Sequence, residues 1–348
     1  MKAVVVYEAG GPEKLVYEEI PKPVLKKDWS LVKVMGFGVN RSEIFTREGK
    51  SPSVKFPRIL GIECVGIIEE TSVESLFSVG QKVISIMGEM GRSFDGSYAE
   101  YVLLPNEQIY LADTNLSWEE LATIPETYYT AFGSMKNLQI KESDTVLVRG
   151  ATSGVGIAFL NLVKSQFKKI NIEGTTRSLS KRNQLIQAGF DEVIEDKNGQ
   201  LQTEKTYDKI VELIGPATVK DSFKHINEQG IVCSTGQLGG QWFLENFDPI
   251  TDIKANSYLT GFYSDNVDGS KLNELFEFIE TNKLTVKPEK VFELKDISKA
   301  HEYLESSSSF GKVIILKKDL SDYENRYAKN TSIKPASRLL WFPTLVGR

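Results

Sequence analysis

The segment 144–156, DTVLVRGATSGVG, constrains the fold of this chain more than any other. Positions 145–148 are a short run of apolar and β-branched residues, which predicts a buried strand. Gly150, Gly154 and Gly156 follow, and apolar residues then recur at helical spacing over 155–167. A strand, a glycine-rich turn and a helix in this order present free backbone N–H groups to a pyrophosphate. Glycine in the turn has no β-carbon to block the phosphates.

The spacing of these glycines leaves a second interpretation open. They give G-x-x-x-G-x-G rather than the strict G-x-G-x-x-G of a dinucleotide-binding turn. An ordinary turn between a strand and a helix would have the same composition. The organisation of the rest of the chain favours the nucleotide site.

Length and composition narrow the class of protein. The chain has 348 residues, enough for two domains, and its 41% apolar and 26% charged content is typical of globular proteins. The net charge of -5 argues against a nucleic-acid or anionic-membrane partner. There is no run of about 18 apolar residues to predict a membrane span, and the N-terminus lacks a signal-peptide pattern. We therefore expect a cytoplasmic protein.

Cysteine and histidine are too rare to build a disulfide scaffold or a zinc site. The only cysteines, Cys64 and Cys233, lie in apolar β-like runs, so we expect buried, reduced thiols. The only histidines, His225 and His301, each lie in a predicted helix without a second ligand type at metal spacing. These patterns predict no metal site.

Residues 1 to about 120 are predicted to be rich in β-structure, because Gly and Pro separate short β-type runs. The predicted strands cover 2–7, 15–20, 30–37, 61–70, 81–87 and 96–104. No long helix is predicted here, although 40–48 could form two turns.

Strands and helices alternate from about residue 117. Ser117 and Glu120 predict a capping box that opens a helix, which Pro125 ends. The predicted order continues with helix 127–136, strand 145–148, helix 155–167, strand 170–175, helix 179–188, strand 191–194, strand 207–213, helix 216–227 and strand 230–235. This alternation predicts an α/β domain of parallel βαβ units.

The pattern changes again after about residue 261. The predicted elements are helix 270–281, strand 290–293, helix 297–306 and strand 312–317, and we expect them to complete the first domain. The predicted organisation is a discontinuous β-rich domain over 1–120 and 262–318, and a doubly wound domain over 121–261. A C-terminal extension over 319–348 has no assigned role.

Ten motifs in order give the chain a family resemblance over residues 1–317. They are MKAVVVYEAGGPEKL at 1–15, GVNRSEIFTREG at 38–49, PRILGIECVGII at 57–68, VGQKV at 79–83, FDGSYAEYV at 94–102, ATIPETYYTAF at 122–132, VRGATSGVG at 148–156, YDKIVELIG at 207–215, GIVCSTG at 230–236 and AHEYLESSSSFGKVIIL at 300–316. Together they resemble the zinc-independent quinone oxidoreductase group of the medium-chain dehydrogenase/reductases. The resemblance implies a GroES-like catalytic domain split around a Rossmann domain, with the active site in the cleft between them.

Two departures from the zinc-dependent members of that superfamily bear on the chemistry. Asn40 stands where those members carry a catalytic Cys, and Ile62 stands where they carry a His. Neither side chain can replace a thiolate or an imidazole on zinc. Without a Lewis acid, alcohol oxidation is difficult, whereas reduction of an electrophilic acceptor stays feasible.

The end of the second nucleotide-domain strand favours NADPH over NADH. Thr176 stands where an NAD site has an acidic residue, and Glu173 lies three residues too early. Arg177, Ser178 and Lys181 follow, and their charges and hydroxyl suit a 2′-phosphate. A solvated helix start is the alternative interpretation of this stretch.

The resemblance also suggests site residues. It places Asn40 near the nicotinamide, where its amide could orient or polarise the acceptor, although an Asn bonding a local turn is the alternative. It places Thr130 against the nicotinamide, Gly236 along the path of the cofactor and Lys312 near the phosphates. The predicted cofactor site also includes the turn residues Gly150, Ser153, Gly154, Val155 and Gly156.

The sequence defines the proton donor and the roles of two carboxylates, Glu43 and Glu63, less well. No general acid is evident, and solvent could protonate the product. Glu43 is expected to orient its loop, while Glu63 could pair with either Arg41 or Arg47.

The predicted reaction is hydride transfer from NADPH to a quinone or a similar α,β-unsaturated carbonyl acceptor. The alternatives are an enoyl-thioester or 2-alkenal reductase of the same superfamily, and an NADPH-binding protein with little turnover. The late β-type run at 257–263 would form an exposed sheet edge, so we expect a homodimer.

Overall fold

A computed structural model describes residues 1–318 and shows a β-rich N-terminal part. Its strands are β1 (Lys2–Val6), β2 (Leu15–Glu19), β3 (Trp29–Val39), β4 (Arg58–Ile59), β5 (Glu63–Thr71), β6 (Lys82–Ile86), β7 (Tyr101–Pro105) and β8 (Tyr110–Leu111). Helix α1 (Arg41–Arg47) follows β3 directly. All six predicted strands are present, but the predicted strand 96–104 begins only at Tyr101. The N–H groups of Gly96 and Tyr98 donate instead to the carbonyls of Ile59 and Leu60.

The middle of the chain alternates between helices and strands, as predicted. It contains α2 (Trp118–Thr123), α3 (Pro125–Leu138), β9 (Thr145–Arg149), α4 (Gly154–Gln166), β10 (Asn171–Thr176), α5 (Arg182–Ala188), β11 (Glu192–Lys197), β12 (Gln200–Leu201), β13 (Tyr207–Glu212), α6 (Val219–Ser222), β14 (Ile226–Ser234), α7 (Pro249–Asp252) and β15 (Tyr258–Gly261). The predicted capping box opens α2: Ser117 Oγ accepts from the N–H of Glu120 at 3.3 Å, and the N–H of Ser117 donates to the Glu120 carboxylate at 2.9 Å.

The strands of this middle part form one seven-stranded sheet in the order β12-β11-β10-β9-β13-β14-β15. All neighbouring strands are parallel except β11 and β12. Strands β10, β11 and β12 lie on one side of β9, and the later strands β13, β14 and β15 lie on its other side. This is the doubly wound Rossmann arrangement. Its ligand crevice opens at the carboxyl end of β9, where the glycine turn lies.

The helix predicted over 216–227 is mostly absent. Only Val219–Ser222 is α-helical, followed by a single 3₁₀ turn, and β14 begins at Ile226. Ile226 pairs with Tyr207 of β13 and is buried in the core beneath that strand. Burial of this apolar side chain therefore extends the strand into a segment whose local pattern favours a helix.

The last described elements return to the N-terminal sheet. They are α8 (Gly269–Thr281), β16 (Lys290–Phe292), α9 (Ile297–Glu305) and β17 (Val313–Leu316). Strand β17 pairs antiparallel with β3, and the sheet runs in the order β16-β17-β3-β5-β6-β8. Arg47 of α1 also donates to the Glu305 carboxylate of α9 at 2.9 and 3.0 Å. The domain boundaries themselves stay predictions, and the predicted extension over 319–348 lies outside the described residues.

Both cysteines are buried free thiols, as predicted. Within residues 1–318, no helix combines the length and the apolar character needed to cross a membrane.

Candidate active site

The glycine turn after β9 has the shape of a phosphate cradle. Gly150 adopts φ +89°, which glycine tolerates best. A β-carbon at Gly156 would lie 2.8 Å from two backbone carbonyl oxygens. A β-carbon at Gly154 would make ordinary contacts of 3.5 Å with Lys312 and Thr127, so the packing of the protein itself does not require glycine there. Backbone geometry and packing therefore require glycine at 150 and 156, while Gly154 lies against Lys312.

The start of α4 lies at the glycine turn and supplies a hydrogen-bond donor there. Ser153 is the N-cap: its Oγ accepts from the N–H of Gly156 at 3.0 Å and donates to the carbonyl of Gly150 at 2.8 Å. N–H groups in a first helical turn have no acceptor within the helix. That of Val155 has no acceptor among residues 1–318, whereas Gly154 lies against the backbone of Gly311 through a bridge at Ser153. The N–H of Val155 and the positive end of the α4 dipole fit a pyrophosphate.

The end of β10 carries positive charge without a paired anion. Thr176 closes this strand, whereas Glu173 is buried and accepts from Tyr207 Oη at 2.8 Å. Lys181 donates to the carbonyl of Ser309, and both burial and the neighbouring Arg177 lower the pKa of Lys181. Neither cation has an ion-pair partner in the part of the chain that the structure describes. Two adjacent cations without an anion fit a dianionic phosphate.

Asn40, Glu63 and Lys312 form one buried cluster at the base of α1. The Lys312 ammonium donates to Glu63 Oε1 and to Asn40 Oδ1, each at 2.6 Å. Asn40 Nδ2 donates to Glu63 Oε1 at 2.8 Å. Glu63 is 0% exposed and Lys312 is 5% exposed. The partner of Glu63 is therefore Lys312, and neither Arg41 nor Arg47 pairs with it.

This cluster clarifies two of the predicted site residues. Asn40 is the N-cap of α1, yet its side chain makes no capping hydrogen bond, so it does not serve a local turn. Its amide holds the Lys312–Glu63 pair, and its contact with an acceptor stays a prediction. Lys312 lies beside Gly154 but directs its ammonium toward Glu63, and its contact with the phosphates also stays a prediction.

The same cluster does not fit zinc. Ile62 is apolar and buried, and the Asn40 and Glu63 oxygens already hold an ammonium. A Zn²⁺ ion would have to displace Lys312 and would find no thiolate or imidazole there. Among residues 1–318, no group of three His, Cys, Asp or Glu side chains is placed to bind a metal ion.

Two further carboxyl groups flank the ion pair. Glu43 Oε1 lies 3.4 Å from both Asn40 Nδ2 and the N–H of Ile62, and burial with the nearby Glu63 raises the pKa of Glu43 to about 8. Glu126 is the second residue of α3, and its N–H donates to Glu63 Oε2 at 2.6 Å. Glu43 contacts the N–H of Ile62, and its loop-orienting role stays a prediction. The sequence reasoning missed Glu126, although a carboxylate among the apolar residues of ATIPETYYTAF was a usable signal.

Thr130 and Gly236 belong to the middle part of the chain that forms the nucleotide domain. Thr130 is 5% exposed, and its Oγ1 donates to Glu126 Oε1 at 3.0 Å. Gly236 lies just beyond β14, and a β-carbon there would be 2.3 Å from the carbonyl oxygen of Leu213. Thr130 is therefore linked to the carboxyl cluster, while the glycine at 236 is required by backbone packing.

An aromatic contact joins α1 to the loop after β14. Phe45 and Trp242 meet edge to face with ring centroids 5.2 Å apart, and Trp242 is 39% exposed. The Arg41 guanidinium lies 5.4 Å from the Phe45 ring. This contact links the β-rich N-terminal part to the loop that follows strand β14 of the nucleotide-domain sheet.

A GroES-like domain and a doubly wound nucleotide domain define the class of medium-chain dehydrogenase/reductases. Family models agree with this assignment. The alcohol dehydrogenase GroES-like domain matches residues 26–114, and the zinc-binding dehydrogenase family matches residues 188–315.

Comparison with individual proteins identifies the family within this class. The chain is 30% identical to human quinone oxidoreductase over 250 residues, covering 69% of this chain and 74% of that protein. It is 27% identical to the quinone oxidoreductase of Lama guanicoe over 332 residues, covering 91% and 98%. A mycobacterial protein solved in complex with NADPH shares the fold, with a TM-score of 0.77 and 23% identity over 91% of this chain and 100% of that one. The chain belongs to the quinone oxidoreductase family and is an oxidoreductase.

Proposed function

We propose that this oxidoreductase transfers hydride from NADPH to a quinone without the help of zinc. The observation that carries the proposal is the Lys312–Glu63–Asn40 cluster, in which an ammonium binds the residue that stands where zinc-dependent members carry a catalytic Cys. Two N–H groups of that ammonium are bound by Glu63 and Asn40. The third would favour the negative charge that develops on an acceptor oxygen. The bound nicotinamide supplies the hydride.

The proposed preference for NADPH rests on the unpaired cations after β10. Arg177 is exposed, Lys181 is partly buried beside it, and no carboxylate follows Thr176 to bind a ribose hydroxyl. A 2′-phosphate would relieve the repulsion between the two cations, whereas the hydroxyl of NADH would not. The solved relative that binds NADPH is consistent with this choice.

Replacement of Arg177 by alanine should raise KM for NADPH about 10- to 100-fold, since a hydrogen bond to a charged group contributes roughly 1.5–3 kcal/mol. KM for NADH should change by less than about threefold, because NADH has no 2′-phosphate for the guanidinium to bind. Steady-state kinetics with both cofactors measure the difference. R182A is the matched control, as Arg182 lies on α5 near Glu192 and should leave both constants unchanged. Equal losses with NADPH and NADH would contradict the assignment.

A panel of candidate acceptors tests which class of compound the enzyme reduces. We expect NADPH oxidation to be fastest with a benzoquinone or naphthoquinone, and slower with a 2-alkenal or crotonyl thioester. A clear preference for the alkenal or the thioester would assign the chain to the other reductases of its superfamily. Tight NADPH binding without turnover on any acceptor would indicate a binding protein.

The proposed assembly is a homodimer joined at the edge of the nucleotide-domain sheet. Strand β15 ends the sheet, and Tyr258 and Leu259 on it are 54% and 37% exposed. An exposed strand edge favours pairing with a second chain. Light scattering should give twice the 39.0 kDa chain mass, and L259D should give a monomer. The control is V24D. Val24 is 81% exposed and lies between β2 and β3, away from any strand edge, so this variant should stay dimeric. A monomeric parent protein would contradict the proposal.

The proposed compartment is the cytoplasm. Two buried free thiols suit a reducing compartment.

A further inference from the structure

The cleft contains more buried carboxyl groups than cations. Glu43 and Glu63 are 1% and 0% exposed, and Glu126 is partly buried next to them. Lys312 is the one ammonium in contact with this group among the described residues, and it pairs with Glu63 at 2.6 Å. A buried carboxylate without a cation is costly, so such groups retain a proton at pH values where exposed ones have lost it. Carboxyl groups of this cluster therefore stay protonated near the proposed hydride-transfer site.

Glu126 differs from Glu43 in its burial. Glu43 is 1% exposed, whereas Glu126 as a whole residue is partly exposed. Its Oε1 accepts from Thr130 Oγ1 at 3.0 Å and from Ser264 Oγ at 2.9 Å. Its Oε2 is buried and has no hydrogen-bond partner within residues 1–318. Buried polar atoms in native proteins nearly always have a partner, so Oε2 has an unfilled hydrogen-bonding position, as does the buried Oε2 of Glu43.

The surroundings of Glu126 set its titration near neutrality. Burial and the negative charge of Glu63 raise the pKa of Glu126 to about 7, against the opposing hydrogen bonds from Ser264 and Thr130 and the charge of Lys312. A general acid works best when its pKa is close to the working pH.

We propose that Glu126 is the proton donor of this active site. The role rests on the proposed quinone reduction. Hydride brings two electrons and one hydrogen to the quinone, which is reduced as NADPH is oxidised. The O–H bond at Glu126 Oε2 breaks as an O–H bond forms on the quinone oxygen, giving the hydroquinone. Glu126 then regains a proton from solvent.

The first test is E126Q, because glutamine keeps the size of the side chain and an oxygen for Thr130 and Ser264 but cannot donate the acidic proton. For the parent protein, kcat/KM for the quinone should fall as pH rises through about 7. A general acid typically contributes 10²–10⁴-fold, so E126Q should lose about 100-fold at pH 6 and show no such fall. The exposed Glu119 on α2 gives the control E119Q, which should keep the parent profile.

A second variant tests the same claim through a shift in the pH at which kcat/KM falls, rather than through a loss of activity. The Ser264 hydroxyl stabilises the ionised form of Glu126. S264A should therefore raise the pKa of Glu126 and move the fall in kcat/KM to higher pH. A merely structural role for Glu126 would change the size of kcat/KM but not the position of this fall. The proposal is overturned if E126Q keeps the parent pH profile.

Infrared spectroscopy of the cofactor-free protein separates this proposal from the proposed function. A protonated-carboxyl band of Glu126 should be present at pH 6, disappear by pH 9 and be the part of the carboxyl signal that E126Q lacks, while the band of Glu43, whose pKa is raised to about 8, is present at pH 6 in both proteins. This result is expected whether or not a quinone is reduced. The absence of the Glu126 band from the parent protein would overturn the proton-donor role, while failure of quinone turnover alone would overturn the proposed reaction.

Discussion

Replacement of Arg149 by methionine is expected to lower the free energy of unfolding by about 3–5 kcal/mol. Arg149 ends β9 and is 0% exposed. Its guanidinium donates to Asp196 at 2.8 Å and to Asp221 at 3.0 Å, and Glu212 lies 3.9 Å away. The remaining donors bind Ser222 Oγ and the carbonyls of Thr218 and Gly199. Methionine fills a similar volume but leaves Asp196 and Glu212 without the cation they contact, and Asp221 with only Lys224 at 3.4 Å.

Urea unfolding at pH 7.5 measures this loss, and a second series at pH 5 tests its cause. Burial already raises the pKa of Glu212 while Arg149 opposes the shift. Without Arg149 the buried carboxyl groups bind protons more readily, so the deficit of R149M should shrink as pH falls. R182M is the control, because Arg182 is 47% exposed and 3.8 Å from Glu192, and an exposed pair contributes at most about 1 kcal/mol. A deficit below about 1 kcal/mol for R149M would contradict the account of this network.

Replacement of Lys312 by methionine should be comparably destabilising, by about 3–5 kcal/mol. The change removes the cation that pairs with Glu63 and leaves that carboxylate fully buried near Glu43 and Glu126. Quinone reduction should also fall, since the cleft loses its fixed positive charge.

The double variant K312M/E63Q tests whether the cost arises from an orphaned charge. The introduced glutamine would still accept from the N–H of Glu126, and no buried carboxylate would remain in the place of the pair. We expect the double variant to recover more than half of the stability that K312M loses, as measured by urea unfolding. Quinone reduction should not recover, because the ammonium is still absent. The control K50M removes an exposed pair with Glu48 and should cost at most about 1 kcal/mol. Additive losses in the double variant would contradict the ion-pair explanation.

Local patterns predicted most of the fold. The strand 145–148 and the helix 155–167 correspond to Thr145–Arg149 and Gly154–Gln166, because apolar spacing and glycine act within a few residues. The return of 312–317 to the first sheet was also expected, and β17 pairs there with β3. The failure at 216–227 has a tertiary cause, since the burial of Ile226 against β13 lies outside any local window.

The candidate site was less accessible to sequence reasoning. The glycine turn and the Arg177–Lys181 stretch are local and were identified. The partner of Glu63 lies 249 residues away in sequence, so no spacing rule could select Lys312 over Arg41 or Arg47. The pKa of Glu126 depends on Glu63 and Ser264, which contact it from two other segments of the chain. Pairing across a cleft is set by the fold rather than by any single motif.

The central claim is that Lys312 supplies the positive charge of this cleft and no zinc is needed. The most direct test is NADPH oxidation with a benzoquinone by protein dialysed against EDTA, with the zinc content of the same sample measured by mass spectrometry. We predict that kcat/KM equals that of untreated protein when zinc is far below one ion per chain. Loss of activity on dialysis, with recovery on adding one equivalent of Zn²⁺, would contradict the claim.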